Sequence, residues 1–152
     1  MQKITLRKAK VSDSKAVRLL ETKVWEEEVT SKYDTPMLIR FGYAFVACVD
    51  TKIVGTIMGY RTNTNEIYVC DIVVDEKYRG QHVGEKLYRR LLKEVKGTNI
   101  VSFLDPSRTA TLHLHQKLGA KVIKKMKNVF ALDGEDRNLE EGKRLFVRIV
   151  NK

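Results

Sequence analysis

Ile4 and Leu6 stand between polar neighbours at the start of the chain, and this period of two predicts a short first strand. Val17, Leu20 and Val24 then recur at helical spacing behind Ser12 or Asp13, either of which can cap the helix. That helix is expected to fade beyond Glu26, Glu27 and Glu28, with Pro36 marking irregular or restarted structure. Tyr43 to Val49, rich in β-branched and aromatic residues, reads as a strand. Asp50-Thr51-Lys52 turns it into a returning strand from Ile53 to Tyr60, making a hairpin. After the Asn63-Thr64-Asn65 turn, Glu66 to Val74 is apolar enough to be a central strand covered on both faces. Val83, Leu87, Leu91 and Val95 draw an amphipathic helix that Gly97 ends. Asn99 to Leu104 is the next strand. Ser107 can then cap a helix with Thr111, Leu114, His115 and Leu118 on one face and Gly119 at its end. Lys121 to Leu132 and Lys143 to Val150 read as two last strands around an acidic loop.

The order β-α-β-β-β-α-β-α-β-β, without repeats or linkers, predicts an α+β fold: one domain over residues 1–152, with helices flanking a mixed, mostly antiparallel sheet. A length of 152 residues with 43% hydrophobic content supports a single core. No apolar run is long enough to cross a bilayer, and MQKITLRKAK lacks the apolar segment of a secretion signal, so a cytoplasmic protein without membrane contact is expected. Cys48 and Cys70 lie in separate strand-like runs, which predicts two buried, reduced thiols and neither a metal site nor a disulfide framework. Twenty-nine Lys and Arg against 19 Asp and Glu leave a net charge of +10, which attracts anionic partners. The excess is spread thinly, with only Lys124, Lys125 and Lys127 clustered and no basic run interleaved with aromatics, so nucleic acid is not the expected partner.

YRGQHVG, residues 78–84, joins the strand expected from Glu66 to Val74 to the amphipathic helix. Amides at a helix N-terminus, with the positive end of the helix dipole, make an anion site. Gly80 and Gly84 let the backbone approach a ligand, and Arg79 adds a cationic fork suited to phosphate. A plain turn is the alternative. The stretch is neither a Walker loop nor a GxGxxG fingerprint.

VVDEKYRGQHVGEKLYRRLL resembles the acetyl-CoA-binding motif of the GCN5-related N-acetyltransferases, Arg/Gln-x-x-Gly-x-Gly/Ala, with Arg79 first and Gly84 last. LHQKLGA, from Leu114 to Ala120, resembles the family's later Leu-Tyr-x-Lys-x-Gly-Phe motif, and the element order agrees throughout. The resemblance implies an N-acetyltransferase moving an acetyl group from acetyl-CoA to a primary amine by direct attack. Ile72, Val73 and Val74 would bind the pantetheine arm through their backbone, and the amides of Gly80, Gln81, His82, Val83, Gly84 and Glu85 would hold the pyrophosphate. His82 stands at the fourth motif position, usually glycine, and Arg108, a candidate phosphate contact, replaces the usual asparagine. His115 stands where many members carry the tyrosine that protonates the departing thiolate. An imidazole can do that work, or it can simply pack beside Leu114 and Leu118.

The attacking amine must lose a proton, and Asp71 and Glu66 are the candidate bases. A carboxylate inside the apolar run CDIVVD needs a reason, either this one or a local hydrogen bond. Asp133, Glu135, Asp136, Glu140 and Glu141, together with Glu26 to Glu28, could draw a cationic acceptor, small molecule or peptide. The competing function is an acetyl-CoA-binding sensor without catalysis. A homodimer is compatible with either.

Overall fold

The computed structural model describes residues 2–127, 129 and 143–152. The chain is α+β, with mostly antiparallel strands flanked by helices, and divides into two compact units, residues 1–96 and 97–152.

In the first unit, β1 (Ile4–Lys8), β2 (Tyr43–Val49), β3 (Lys52–Arg61) and β4 (Ile67–Val74) lie side by side in that order, each pair antiparallel. The β2–β3 turn is the two residues Asp50 and Thr51, with Asp50 at φ 52°. Pairing partners share a sheet face, so the register sorts the core. Ala44, Val46, Cys48 and Met58 face α1 (Ser14–Trp25), packing on Val17. Gly55 lies on the other face, beneath α3 (Val83–Glu94), where an added Cβ would come within 3.0 Å of Val83 and 3.2 Å of Leu87. The missing side chain is what lets the start of α3 settle on β3.

Several local expectations change. Neither Ser12 nor Asp13 caps α1 with its side chain. The Asp13 carboxylate instead accepts the Lys10 amide at 2.7 Å and both Arg7 nitrogens at 2.7 and 3.0 Å, closing the 3-10 turn before α1. A further helix, α2 (Asp34–Phe41), fills the region around Pro36. Pro36 falls in its first turn, where a missing N–H breaks no ladder bond. β4 is covered on both faces, as expected, but in different halves: Ile67 and Val69 are buried on the face of Gly55, Asp71 and Val73 on the face of α1, and the residues between them are half-buried.

The reason is a bulge. Gly59 pairs with Val69 and Met58 with Asp71, so Cys70 is the extra residue of β4. Without it, Asp71 would share the face of Val69. With it, both Cys70 and Asp71 turn toward α1.

The second unit holds β5 (Ile100–Leu104), α4 (Thr109–Lys117), β6 (Lys121–Met126) and β7 (Arg144–Ile149). β7 pairs antiparallel with both β5 and β6. Ser107 does not cap α4: its amide and hydroxyl both donate to the Asp105 carboxylate, at 2.9 and 2.7 Å, and Arg108 takes the cap position. β6 ends at Met126, short of the expected Leu132; residues 128 and 130–132 lie outside the described residues. So do all the acidic positions expected in the following loop, Asp133, Glu135, Asp136, Glu140 and Glu141.

Candidate active site

Arg79, Gly80, Gln81, His82, Val83, Gly84 and Glu85 form the connection from β4 into α3. Asp75 closes β4, buried to 2%, and accepts the Lys77 amide at 3.1 Å. Gly80 takes φ 76°, a left-handed conformation that glycine adopts without strain. His82 takes φ 60° as the N-cap of α3, and no side-chain hydrogen bond caps the helix. The helical ladder begins with Lys86 N–H donating to the His82 carbonyl at 3.0 Å. The preceding amides therefore lie outside that ladder, at the positive end of the helix dipole. Arg79 Nε donates to the Val74 carbonyl at 3.3 Å, which fixes an exposed guanidinium at the mouth of the loop. An added Cβ on Gly80 would meet nothing within 4 Å, so space lies open over this backbone. The donor set fits a pyrophosphate.

Just upstream, the bulge aims Asp71 at a partner that the strand pattern did not reveal. Glu21 on α1 is 1% exposed and Asp71 5% exposed. Glu21 Oε1 accepts the Thr30 hydroxyl at 2.9 Å, and Asp71 Oδ1 accepts the Trp25 indole N–H at 3.3 Å. The remaining oxygens, Glu21 Oε2 and Asp71 Oδ2, are buried without a hydrogen-bond donor. A proton on Asp71 would supply the O–H donor that these two oxygens lack. Burial, then the Glu21 hydrogen bond and its charge, push Asp71 up to about 8, against the opposing indole N–H. Arg18, one turn earlier on α1, reaches out to Glu28 at 3.5 Å.

The other candidate base lies apart. Glu66 sits in the β3–β4 turn, with Oε1 accepting the Thr64 hydroxyl at 3.4 Å. At ~3.3 Å per strand residue it stands roughly 15 Å along the strand from Asp71.

A cavity of about 440 Å³ opens where α2 crosses β3 and β4, walled by Thr30, Met37, Leu38, Phe41, Tyr60 and Cys70. Thr30 is the residue bonded to Glu21, and Cys70 is the bulge residue beside Asp71, so the carboxyl pair lies directly behind this wall. Cys70 is half-buried rather than buried as expected. Its Sγ donates to the Met58 carbonyl at 3.4 Å, and burial pushes the thiol up to about 12, so it is no nucleophile. Ile72, Val73 and Val74 follow at once, paired with Ile57, Thr56 and Gly55.

In the second unit, Arg108 is exposed at the start of α4. His115 is 2% exposed, and its Nδ1 lies 2.8 Å from the Thr111 carbonyl. A carbonyl only accepts, so Nδ1 carries the hydrogen, and in the neutral ring Nε2 holds the lone pair. Burial lowers the imidazole below its ordinary value, opposed by the Thr111 bond. Among the described residues, no group of acidic, histidine or cysteine side chains could hold a metal, and no helix is long and apolar enough to cross a membrane.

Sequence reasoning overlooked Glu21, Thr30 and all of α2. Glu21 did leave a signal: it occupies the turn after Val17 on the buried stripe of α1, where a charge is as anomalous as Asp71 in its strand.

Residues 14–120 match the model of the acetyltransferase (GNAT) family. No curated protein matches the sequence. Three solved structures illustrate its likeness in fold. The ribosomal-protein-S18-alanine N-acetyltransferase of Escherichia coli superposes with a TM-score of 0.81 at 16% identity, covering 99% of this chain and 96% of that one. The diaminobutyrate acetyltransferase of Paenibacillus lautus, solved with L-2,4-diaminobutyric acid and coenzyme A, gives 0.80 at 20%, covering 99% and 96%. Arabidopsis thaliana Naa50, bound to the bisubstrate analogue CoA-Ac-MVNAL, gives 0.75 at 15%, covering 95% and 97%.

Proposed function

The chain belongs to the GNAT acetyltransferase family, and from that premise we propose that it acetylates a primary amine, with acetyl-CoA as the donor. Acetyl-CoA supplies an activated thioester, whose carbonyl carbon the amine attacks. The protein's residues bind the donor, orient the amine and manage the protons. The observation carrying this reading is the uncapped N-terminus of α3, delivered directly after β4 by the Arg79–Gly84 motif. Amides of Gly80 to Glu85 would hold the pyrophosphate with Arg79, and the backbone of Ile72 to Val74 would hold the pantetheine arm. Structures sharing this fold were solved with coenzyme A or a coenzyme A analogue.

The amine enters, in this reading, through the cavity beside the bulge. The Glu21–Asp71 pair faces it from behind Thr30 and Cys70, a fixed negative charge that draws an ammonium and receives its proton through the Thr30 hydroxyl. Thr30 would pass its hydrogen to Glu21 Oε1 and take one from the ammonium, so the hydroxyl ends unchanged. His115 enters on its motif position. With Nδ1–H fixed on Thr111, its Nε2 can take a proton from the nitrogen after attack and return it to the departing sulfur. Arg108 would meet the donor's phosphates.

Calorimetric titration with acetyl-CoA, alongside CoA release over a panel of amines, tests the reading. Wild-type protein should bind acetyl-CoA and release CoA only when an acceptor is present. A folded Gly84→Val variant should bind at least about tenfold more weakly, since a side chain there blocks close backbone approach. Unchanged affinity in that variant would remove the loop from the site. Tight binding without CoA release for any amine would instead make the chain an acetyl-CoA sensor.

A further inference from the structure

The cavity over α2 is unusual in what it leaves out. The chain contains 29 Lys and Arg, yet among the described residues none lines this cavity. Its one charged wall residue is Asp34, whose Oδ2 accepts the Ser31 hydroxyl at 2.7 Å. Behind the Thr30 and Cys70 wall lie two further carboxyls, Glu21 and Asp71, whose Oε2 and Oδ2 have no hydrogen-bond donor. The ionisable groups of the wall and just behind it are thus acidic, against the positive total of the chain. The rest of the wall is apolar: Met37, Leu38, Phe41 and Tyr60.

The same helix displays apolar side chains that the protein does not bury. Tyr33, Met37 and Phe41 recur at one helical face and are 71%, 48% and 83% exposed, with Tyr60 at 43% beside them. The opposite face of α2 is the packed one, with Thr35 fully buried and Leu38 and Ile39 against the core. Exposed apolar side chains beside an acid-backed cavity mark a ligand site, with the Lys32 ammonium 5.1 Å over the Tyr33 ring at its outer end.

We propose that this cavity selects the acceptor, taking a primary amine on an uncharged apolar skeleton, with the ammonium toward Thr30 and Cys70 and the apolar group against Met37, Phe41 and Tyr60. The inference rests on the acetyl-transfer reading and names its substrate class. Anionic or phosphorylated amines are excluded by the acid pair and by the lack of any basic wall residue. Polyamines and basic amino acids are disfavoured because, away from Asp34, their second charge would lose water against the apolar part of the wall. The chemistry recognised, an ammonium next to an apolar group, occurs in a free arylalkylamine and in the N-terminal residue of a peptide.

Initial rates of CoA release at saturating acetyl-CoA test this with 2-phenylethylamine, ethylamine, the dipeptide amide Phe-Leu, spermidine and lysine. The expected kcat/KM for 2-phenylethylamine or the peptide exceeds that for spermidine and lysine by about 10–200-fold, the range an apolar group gains in a pocket. Which of the two is faster tells whether the apolar amine is free or N-terminal. Phe41→Ser, at a position exposed enough not to disturb the core, should narrow the 2-phenylethylamine-to-ethylamine ratio at least about fivefold. It should also weaken the saturation-transfer NMR signal of bound 2-phenylethylamine. Turnover favouring spermidine or lysine, with the Phe41→Ser ratio unchanged, would overturn this inference and leave acetyl transfer standing. Absence of CoA release with every amine would remove both.

Discussion

Asp71 and Asp75 are the same residue type, on or just past the same strand, only 5% and 2% exposed, and α1 supplies the partner of each. Glu21 meets Asp71, and Lys23, on the next face of that helix, meets Asp75 at 3.0 Å. Their protons go opposite ways. Burial opposes ionisation of Asp75, but hydrogen bonds from Lys23 and the Lys77 amide, with the charges of Lys23 and Lys52, hold it below its ordinary 3.8. Burial and Glu21 push Asp71 up to about 8. The bulge at Cys70 decides which aspartate meets which partner. Burial alone predicts neither outcome; the neighbouring charge sets whether a buried carboxyl is an anchor or a proton store.

The contrast breaks most visibly at Asp75. Asp75→Ala should lose about 1–2 kcal/mol at pH 7, the low end for charged hydrogen bonds because the Lys23 and Lys52 heads are half in water. Because the folded value is lowered, this stabilisation exists above the unfolded value of 3.8 and fades as pH falls through the folded one. Urea unfolding at pH 7 and pH 3 measures it, and an equal loss at both would deny Asp75 its ionic role.

Asp71 should show the opposite sign. Its folded value is raised, so its contribution is full below 3.8 and lost as pH rises through about 8. Asp71→Asn offers an amide N–H to Glu21 with no proton to lose, and should be more stable than wild type by about 1 kcal/mol at pH 9. At pH 5 the gain should vanish, as urea unfolding at both values would show. Smaller again is the effect of Glu21→Gln on the Asp71 midpoint. Carboxyl carbon NMR should find it below about 8, yet still above 3.8, because burial remains after the like charge is gone. His115 supplies the control: burial, opposed by its Thr111 carbonyl partner, should keep its imidazole neutral to below 6.5, with nitrogen shifts reporting the Nδ1–H tautomer.

The connection from β4 into α3 was legible because its residues are contiguous: Arg79, Gly80 and Gly84 announce a turn into a helix whatever the rest of the chain does. The hairpin at Asp50 and the α3 stripe were legible for the same local reasons. The carboxyl pair was only half legible. Asp71 stood out in its apolar run, but its pairing with Glu21 depends on a bulge, and one extra residue reverses every side chain beyond it. α2 was hidden by Pro36, whose place in a first turn resembles a break when read in sequence alone. The capping roles of Asp13 and Ser107 failed because arginine, backbone and aspartate partners claimed those groups instead.

The central claim, that this site moves an acetyl group rather than only holding its donor, is tested most directly by product analysis. Protein, acetyl-CoA and a panel of primary amines would be incubated together, with CoA thiol and N-acetylated amine quantified by mass spectrometry in the same samples. The account predicts one N-acetyl amide for every enzyme-dependent CoA released with at least one amine. It also predicts that both products fall together in the Gly84→Val variant. CoA released without acetylated amine, or acetyl-CoA bound with neither product formed, would contradict it.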